Sequence, residues 1–367
     1  MPRRRDCSTG PSAGQSLPCH IATGRIASIA STRPLESQPV TRAPASLVLS
    51  LLCAIGIASV LISLYVGSAG IGGLDLWPAT PKATDETLRR IVLELRLPRA
   101  LAAYSVGAAL ALAGVFMQVL LRNPLADPYV LGVSGGAAVG ALVAIQAGLA
   151  GALLHAGAGI GALAALLLVF SLAHGRGSWS PLRLLLTGVV VAAGTSAMVS
   201  LLLGLADDAR LRGMVYWLMG DLSYAGVPWA AVALLAIALP AAIGAGRHLN
   251  VMSHGECTAQ LLGIATQPLR VGLFVLGSLL TAAAVSNAGC IGFVGLITPH
   301  AVRLAIGSDH RLVAPAAVLA GGALLVLADL ASRTLIAPRQ LPVGALTAII
   351  GVPVFLWLMR HGQPHTD

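Results

Sequence analysis

The chain has 367 residues, 56% of them apolar and 10% charged, with a formal net charge of +9. Soluble domains carry about 25% charged residues, so a chain wrapped throughout in a water-facing charged shell is excluded. Its basic residues stand singly between apolar segments rather than in a stripe with interleaved aromatics, which argues against a nucleic-acid partner.

Residues 1–44 are rich in Ser, Pro, Arg and Thr, contain Arg3-Arg4-Arg5 and lack apolar periodicity. They are predicted as a disordered tail, or as untranslated sequence if the true start lies further along. The first apolar run comes too late and is too long for a cleaved signal peptide. Charge-free windows then recur at Ala43–Leu74, Ala100–Leu121, residues 128–175, Leu184–Ala206, Leu222–Gly246, Val271–Val302, Leu312–Ala328 and Gln340–Met359. A bilayer crossing needs about 20 apolar residues. The 128–175 window therefore holds two helices joined near Gly148–Gly151, and the glycine-broken 271–302 window holds one long helix and one short one.

That gives about ten transmembrane helices in a single domain, residues 45–363, bathed in lipid. An even number puts both termini on one side, cytoplasmic by the positive-inside rule, as for a multi-pass protein of a bacterial inner membrane. Arg89, Arg90, Arg96, Arg99, Arg210, Arg212, Arg333 and Arg339 then fall outside, where that rule does not ask for them.

The five cysteines, Cys7, Cys19, Cys53, Cys257 and Cys290, have no CxxC spacing, and the nine histidines are scattered, so neither a metal site nor a cofactor is expected. Lys82 is the sole lysine. A phosphate-binding P-loop needs Gly-Lys-Ser/Thr, so the chain is not itself an ATPase of that kind and not an enzyme.

Two segments interrupt the helical pattern. Arg122-Asn123-Pro124-Leu125-Ala126-Asp127-Pro128, preceded by Gln118, holds two prolines that one regular helix cannot accommodate. Gly289 to His300, with Gly292, Gly295, Pro299 and Arg303 just beyond, ends a second span. Irregular backbone at membrane depth is tolerated where protein buries it or where it lines a watery cavity, so both breaks mark a candidate translocation path. Leu97-Pro98-Arg99 opens the helix before the first break and Gln267-Pro268-Leu269-Arg270 the helix before the second. They start on opposite faces, as inverted repeats would.

The run Gly132-Val133-Ser134-Gly135-Gly136, continued to Gly140, reads as GxxxGxxxG helix packing. Its G-x-S-x-G spelling lacks the preceding strand of a nucleophile elbow. The stretch Leu249–Thr266 has short amphipathic character interrupted by Gly255 and Gly263, either a plain loop or a knob for a soluble partner.

Taken in order, Arg96-Leu97-Pro98-Arg99, Arg122 to Pro128, Leu131 to Gly136, Ser253 to Gly263, Gly292 to His300 with Arg303, and Leu341-Pro342-Val343-Gly344 resemble the permeases of iron-siderophore, haem and cobalamin ABC importers. The resemblance runs from about residue 45 to the C-terminus. It implies the all-α type II importer fold with ten spans. It also implies a second copy or close homologue, two ATP-binding subunits below, and a periplasmic or lipid-anchored substrate-binding protein above. The cargo would be a metal chelate, ferric siderophore ahead of haem and cobalamin.

By the same resemblance, Ser253, His254, Gly255, Glu256, Ala259, Leu262 and Gly263 would couple to the ATPase. Arg96, Arg99 and Arg333 would meet glutamates of the binding protein. Cys257 and Gln260 depart from the family's usual acidic and basic residues, which puts charge pairing with the ATPase in doubt.

Two other classes compete. A proton- or sodium-coupled secondary transporter would use Asp329, the one acid well inside a span. An intramembrane serine protease would need Ser134 and His300 together.

Overall fold

A computed structural model describes residues 44–66, 89–173, 181–223 and 226–361. The expected tail, apart from Pro44, lies outside them, as does Lys82. The described residues are helical, with no strand among them. The reason is the solvent: in hydrocarbon every backbone N–H and C=O must be satisfied within the segment, and a helix does this alone.

The helices are α1 Ala45–Tyr65, α2 Leu97–Leu120 (led by a π-helical turn, Ile91–Arg96), α3 Val133–Gln146, α4 Ala152–Ala173, α5 Pro181–Gly204 and α6 Asp208–Leu218. There follow α7 Trp229–Gly244, α8 Gly246–Ser253, α9 Glu256–Leu261, α10 Thr266–Ala288, α11 Val294–Ile306, α12 His310–Thr334 and α13 Val343–His361. Among the described residues seven helices are long and apolar enough to cross a membrane, α7 and α8 form one further pair bent by 67°, and α3 and α11 are shorter apolar helices. Together these are the ten expected apolar segments. The structure adds α6, an 11-residue helix in a stretch expected only as polar connection.

α2 is the hub, with 89% of its apolar window buried, against 17% for α1 and α5 and 28% for α13. It can be surrounded because it is lined with small residues. A Cβ on Gly107 would strike the Gly321 carbonyl of α12, and one on Gly114 would strike the Gly295 carbonyl of α11. Small residues that let backbones touch are the packing device available where lipid removes the hydrophobic drive. The GxxxGxxxG run works this way too: Gly136 and Gly140 of α3 lie against the Gly161 and Gly157 carbonyls of α4.

The two breaks have mirrored layouts. α2 runs down to Arg122 and the short α3 climbs back, ending where Gln146 accepts a hydrogen bond from Arg210. α10 runs the other way, and the short α11 returns toward the end where Asn250 meets His310. Long helix, break, short helix is repeated with opposite sense, as inverted repeats require.

Candidate functional site

The two helix breaks meet. The Tyr129 hydroxyl donates to the Ile291 carbonyl at 2.8 Å and accepts from the Ile291 N–H at 2.9 Å. In front of it, Asp127 caps the 3₁₀ turn Pro128–Leu131 by accepting from Tyr129 N at 2.7 Å. Asn123 Oδ1 accepts from Leu125 N at 2.9 Å, an Asx turn that carries the chain through exposed Pro124. Buried Pro128 then packs its ring against Gly295, where a Cβ would lie 2.9 Å from Pro128 Cγ. Proline, glycine and tyrosine from two sequence-distant breaks thus form one contact.

The second break differs from the sequence expectation in its position. Gly292 has ordinary backbone angles. The left-handed residues are Gly289 (φ 69°) and Phe293 (φ 70°), and α11 then runs straight through Pro299 and Arg303. Phe293 is held there by contact of its ring with Gly351 of α13, where no larger residue would fit. The break therefore ends at Phe293 rather than at His300.

Pro299 cannot donate to the Gly295 carbonyl four residues back. Gln118 of α2 supplies the missing donor. Its Nε2 lies 3.5 Å from the Gly295 oxygen and 3.4 Å from that of Leu296, while its Oε1 accepts from Arg303. Gln118 is 4% exposed, so a buried polar side chain is satisfied on both faces. His300 packs edge-on against Phe355, with ring centroids 6.5 Å apart, and no hydrogen bond joins it to Ser134 among the described residues. The Ser134 and His300 pair of a protease is not assembled.

One end of the helix bundle carries the amphipathic stretch. α8 bends away from α7 and buries Leu249 and Met252 while exposing Arg247 and His248. The Ser253 hydroxyl donates to the Asn250 carbonyl at 2.7 Å, and His254 Nδ1 lies 2.7 Å from the same oxygen, so α8 closes in a tight turn. Gly255 follows at φ 130°, ψ 152°, a region open to glycine alone, and Gly263 ends the segment at φ 76°. A Cβ on Gly263 would meet open space, and one on Gly255 only Thr258 Oγ1 at 3.8 Å. Backbone angle, rather than crowding, selects glycine here.

Between them α9 buries Ala259 and turns Glu256 inward onto Arg270 of α10. Arg270 is only 3% exposed, and a buried guanidinium needs such a counter-charge. Leu261 at the end of α9 and Leu262 just after it are 83% and 65% exposed, beside exposed Cys257, Thr258 and Gln260. Composition could not separate an acid facing out from one facing in; the basic Arg270 fourteen residues on was the available signal.

The opposite end places the three expected docking arginines in one cluster, already engaged. Arg96 donates to the Leu64 carbonyl at 2.8 Å and so caps the C-terminus of α1. Arg99 grips Asp329 through two nitrogens, at 2.9 and 2.8 Å, and reaches Gln340 at 3.0 Å. Arg333 lies 3.1 Å from the other Asp329 oxygen and donates to Ser63 at 2.8 Å. Arg333 is 6% exposed and Asp329 is fully buried. Two arginines on one carboxylate leave a positive excess. The same end opens into a vestibule of about 910 Å³ lined by Arg99, Arg212, Asp221, Arg339 and Gln340. Both Asp329 oxygens are taken up by Arg99 and Arg333, so the one acid that a secondary transporter would have used is engaged in ion pairs that tie α2 to α12.

The model of the FecCD transport family matches residues 54–361. The uncharacterized ABC transporter permease protein YvrB of Bacillus subtilis (strain 168) is 43% identical, over 75% of this chain and 80% of its own. The hemin transport system permease HmuU of Yersinia pestis is 41% identical, over 82% and 92%. The cobalamin import permease BtuC of Halobacterium salinarum is 40% identical, over 83% and 84%. A solved inward-facing ABC transporter chain of the metal-chelate type superposes with a TM-score of 0.76 at 31% identity, covering 86% of this chain and 99% of that one. The fold is shared with PsaBC of Streptococcus pneumoniae at a TM-score of 0.51 and 17% identity.

Proposed function

The chain belongs to the FecCD transport family and is a transmembrane permease subunit of an ABC importer, and from that premise we propose that it carries a metal chelate inward through motion relayed from Ser253–Gly263 to the paired helix breaks. The single observation behind this reading is a continuous mechanical line. Exposed Leu261 and Leu262 sit at the tip of α9, Glu256 locks α9 to Arg270, and Arg270 stands at the foot of α10, whose far end is the second break. A push on the leucines has a stiff route to Tyr129, Ile291 and Gln118.

Two ATP-binding subunits would seat on Ser253, His254, Gly255, Ala259, Leu262 and Gly263, through shape and apolar contact rather than through Glu256. ATP hydrolysis belongs to those subunits, since this sequence has no Gly-Lys-Ser/Thr. A periplasmic or lipid-anchored binding protein would dock at the opposite end, drawn by the positive excess at Arg96, Arg99 and Arg333 and by exposed Arg212 and Arg339. A second copy or a close homologue would complete the path, with both termini cytoplasmic. Hemin and cobalamin are cargoes in the names of relatives, and ferric siderophores share their chelate chemistry.

The test is reconstitution in proteoliposomes with the ATPase and binding protein, measuring uptake of hemin, cobalamin and a ferric siderophore. Uptake of one chelate that depends on ATP and is lost in Gly255→Trp supports the reading. Normal uptake in Gly255→Trp with the ATPase attached would overturn the coupling assignment.

A further inference from the structure

Beside the stretch proposed to take up ATPase motion lies a second cavity, of about 170 Å³, between the first helix break and the turn after α11. Arg122, Asn123, Ser253, Arg303, Ser308 and His310 line it, and no carboxylate does. Such a volume has room for roughly five waters. Asp309, which adjoins the lining residues Ser308 and His310, is already used: its Oδ1 accepts from Asn250 Nδ2 at 2.8 Å and from Arg311 N at 3.1 Å. Glu256 is likewise committed to Arg270. Arg303 gives one nitrogen to Gln118, and a guanidinium has five donors. Arg122, exposed and held at φ 48° by the turn that ends α2, adds a second guanidinium at the rim.

We infer that this cavity receives a carboxylate side chain of the cytoplasmic ATPase subunit, held between Arg122 and Arg303. The inference rests on the coupling reading above and adds to it the chemistry of the partner. Two guanidinium groups facing one unacidic hollow make a fork-shaped carboxylate receptor. Ser253 belongs both to its wall and to the start of the coupling stretch, so one short helix, α9, separates it from the exposed leucines. A partner seated on Leu261 and Leu262 presents its rim there. The acid pairing that Glu256 does not offer outward is thereby reversed in sign, with the permease supplying the cations and the ATPase the anion.

The experiment measures affinity of the purified ATPase subunit for the permease in phosphatidylcholine nanodiscs. Arg122→Glu is expected to weaken binding at least tenfold, Arg122→Lys, which keeps the charge and loses the fork, to weaken it less than Arg122→Glu, and one acid-to-lysine change in the ATPase to restore the Arg122→Glu loss. Arg122→Glu binding at the normal strength, or a loss that no acid-to-lysine change restores, overturns the inference. So does a loss seen in phosphatidylglycerol nanodiscs and absent in phosphatidylcholine, which assigns the cavity to a lipid headgroup. Leu261→Ala with Leu262→Ala separates the two readings. If that double variant abolishes binding while Arg122→Glu does not, the cavity inference alone falls; if it binds normally, the coupling reading falls.

Discussion

The two ends of the molecule handle buried charge differently. At one end Asp329 is shared by Arg99 and Arg333, so the cluster keeps a positive excess inside the protein. At the opposite end Glu256 pairs with Arg270, and Leu261 and Leu262 stand exposed beside that pair. If the partners dock as proposed, the Asp329 end attracts a charged partner over a distance, and the Glu256 end adds a shape-based grip on its leucines to the carboxylate receptor at Arg122 and Arg303. Charge sets encounter and orientation, whereas desolvated apolar anchors carry most of the hold in an interface.

The sharpest way to break this contrast is Asp329→Ala. Removing one partner of a buried ion pair costs about 3–5 kcal/mol, and here it deprives two guanidinium groups at once. The expected result is loss of folded permease from the membrane and a large fall in the thermal unfolding temperature of the detergent-solubilised protein. Arg333→Glu should misfold for the same reason, since it sets a second carboxylate beside Asp329, so it does not report on docking.

Glu256→Ala probes the inner pair. Glu256 is about one-third exposed, and leaving a buried donor short of its acceptor costs about 1–3 kcal/mol, so the stability loss should be smaller than for Asp329→Ala. Its distinguishing effect is functional: ATP hydrolysis should continue while chelate uptake per ATP falls. Equal stability losses in the two variants would erase the difference between the ends.

Gly255→Ala adds a side chain where space is open but the backbone angle is not. Holding a non-glycine residue in such a region costs about 1–3 kcal/mol, spent locally by reshaping the link between α8 and α9. Uptake should drop severalfold with unfolding temperature nearly unchanged; normal uptake would show that the angle at Gly255 is dispensable.

The mildest change is Arg212→Glu with Arg339→Glu at the vestibule. Exposed ion pairs are worth about 0–1 kcal/mol each, so binding-protein affinity should fall less than about thirtyfold, with a slower association rate and a weaker salt dependence. A salt-independent loss would mean that the vestibule is a packing surface rather than a charged lure.

Much of this was legible beforehand. Hydropathy is a local property, so the charge-free windows located the spans, and the paired prolines before α3 and the glycines before α11 located both breaks. The position of the second break was misplaced toward Pro299 and His300, because proline normally stops a helix and nothing local reveals that Gln118, 177 residues before Gly295, supplies the donor that the Gly295 carbonyl lacks. The roles of the arginines were equally hidden. Arg99 reads as an external charge until α2 and α12 pack and bring it to Asp329, 230 residues on.

By itself, then, the sequence determined what each segment is: its length, its solvent and that two spans must break, all of which depend on neighbours within a turn or two. Tertiary structure alone decided which polar side chains are spent and which are left to act. Tyr129 on Ile291, Gln118 behind Pro299, Asp329 between two arginines and Glu256 turned inward are consequences of helices packed closely by glycine, where a buried polar group must find its partner wherever the fold places one.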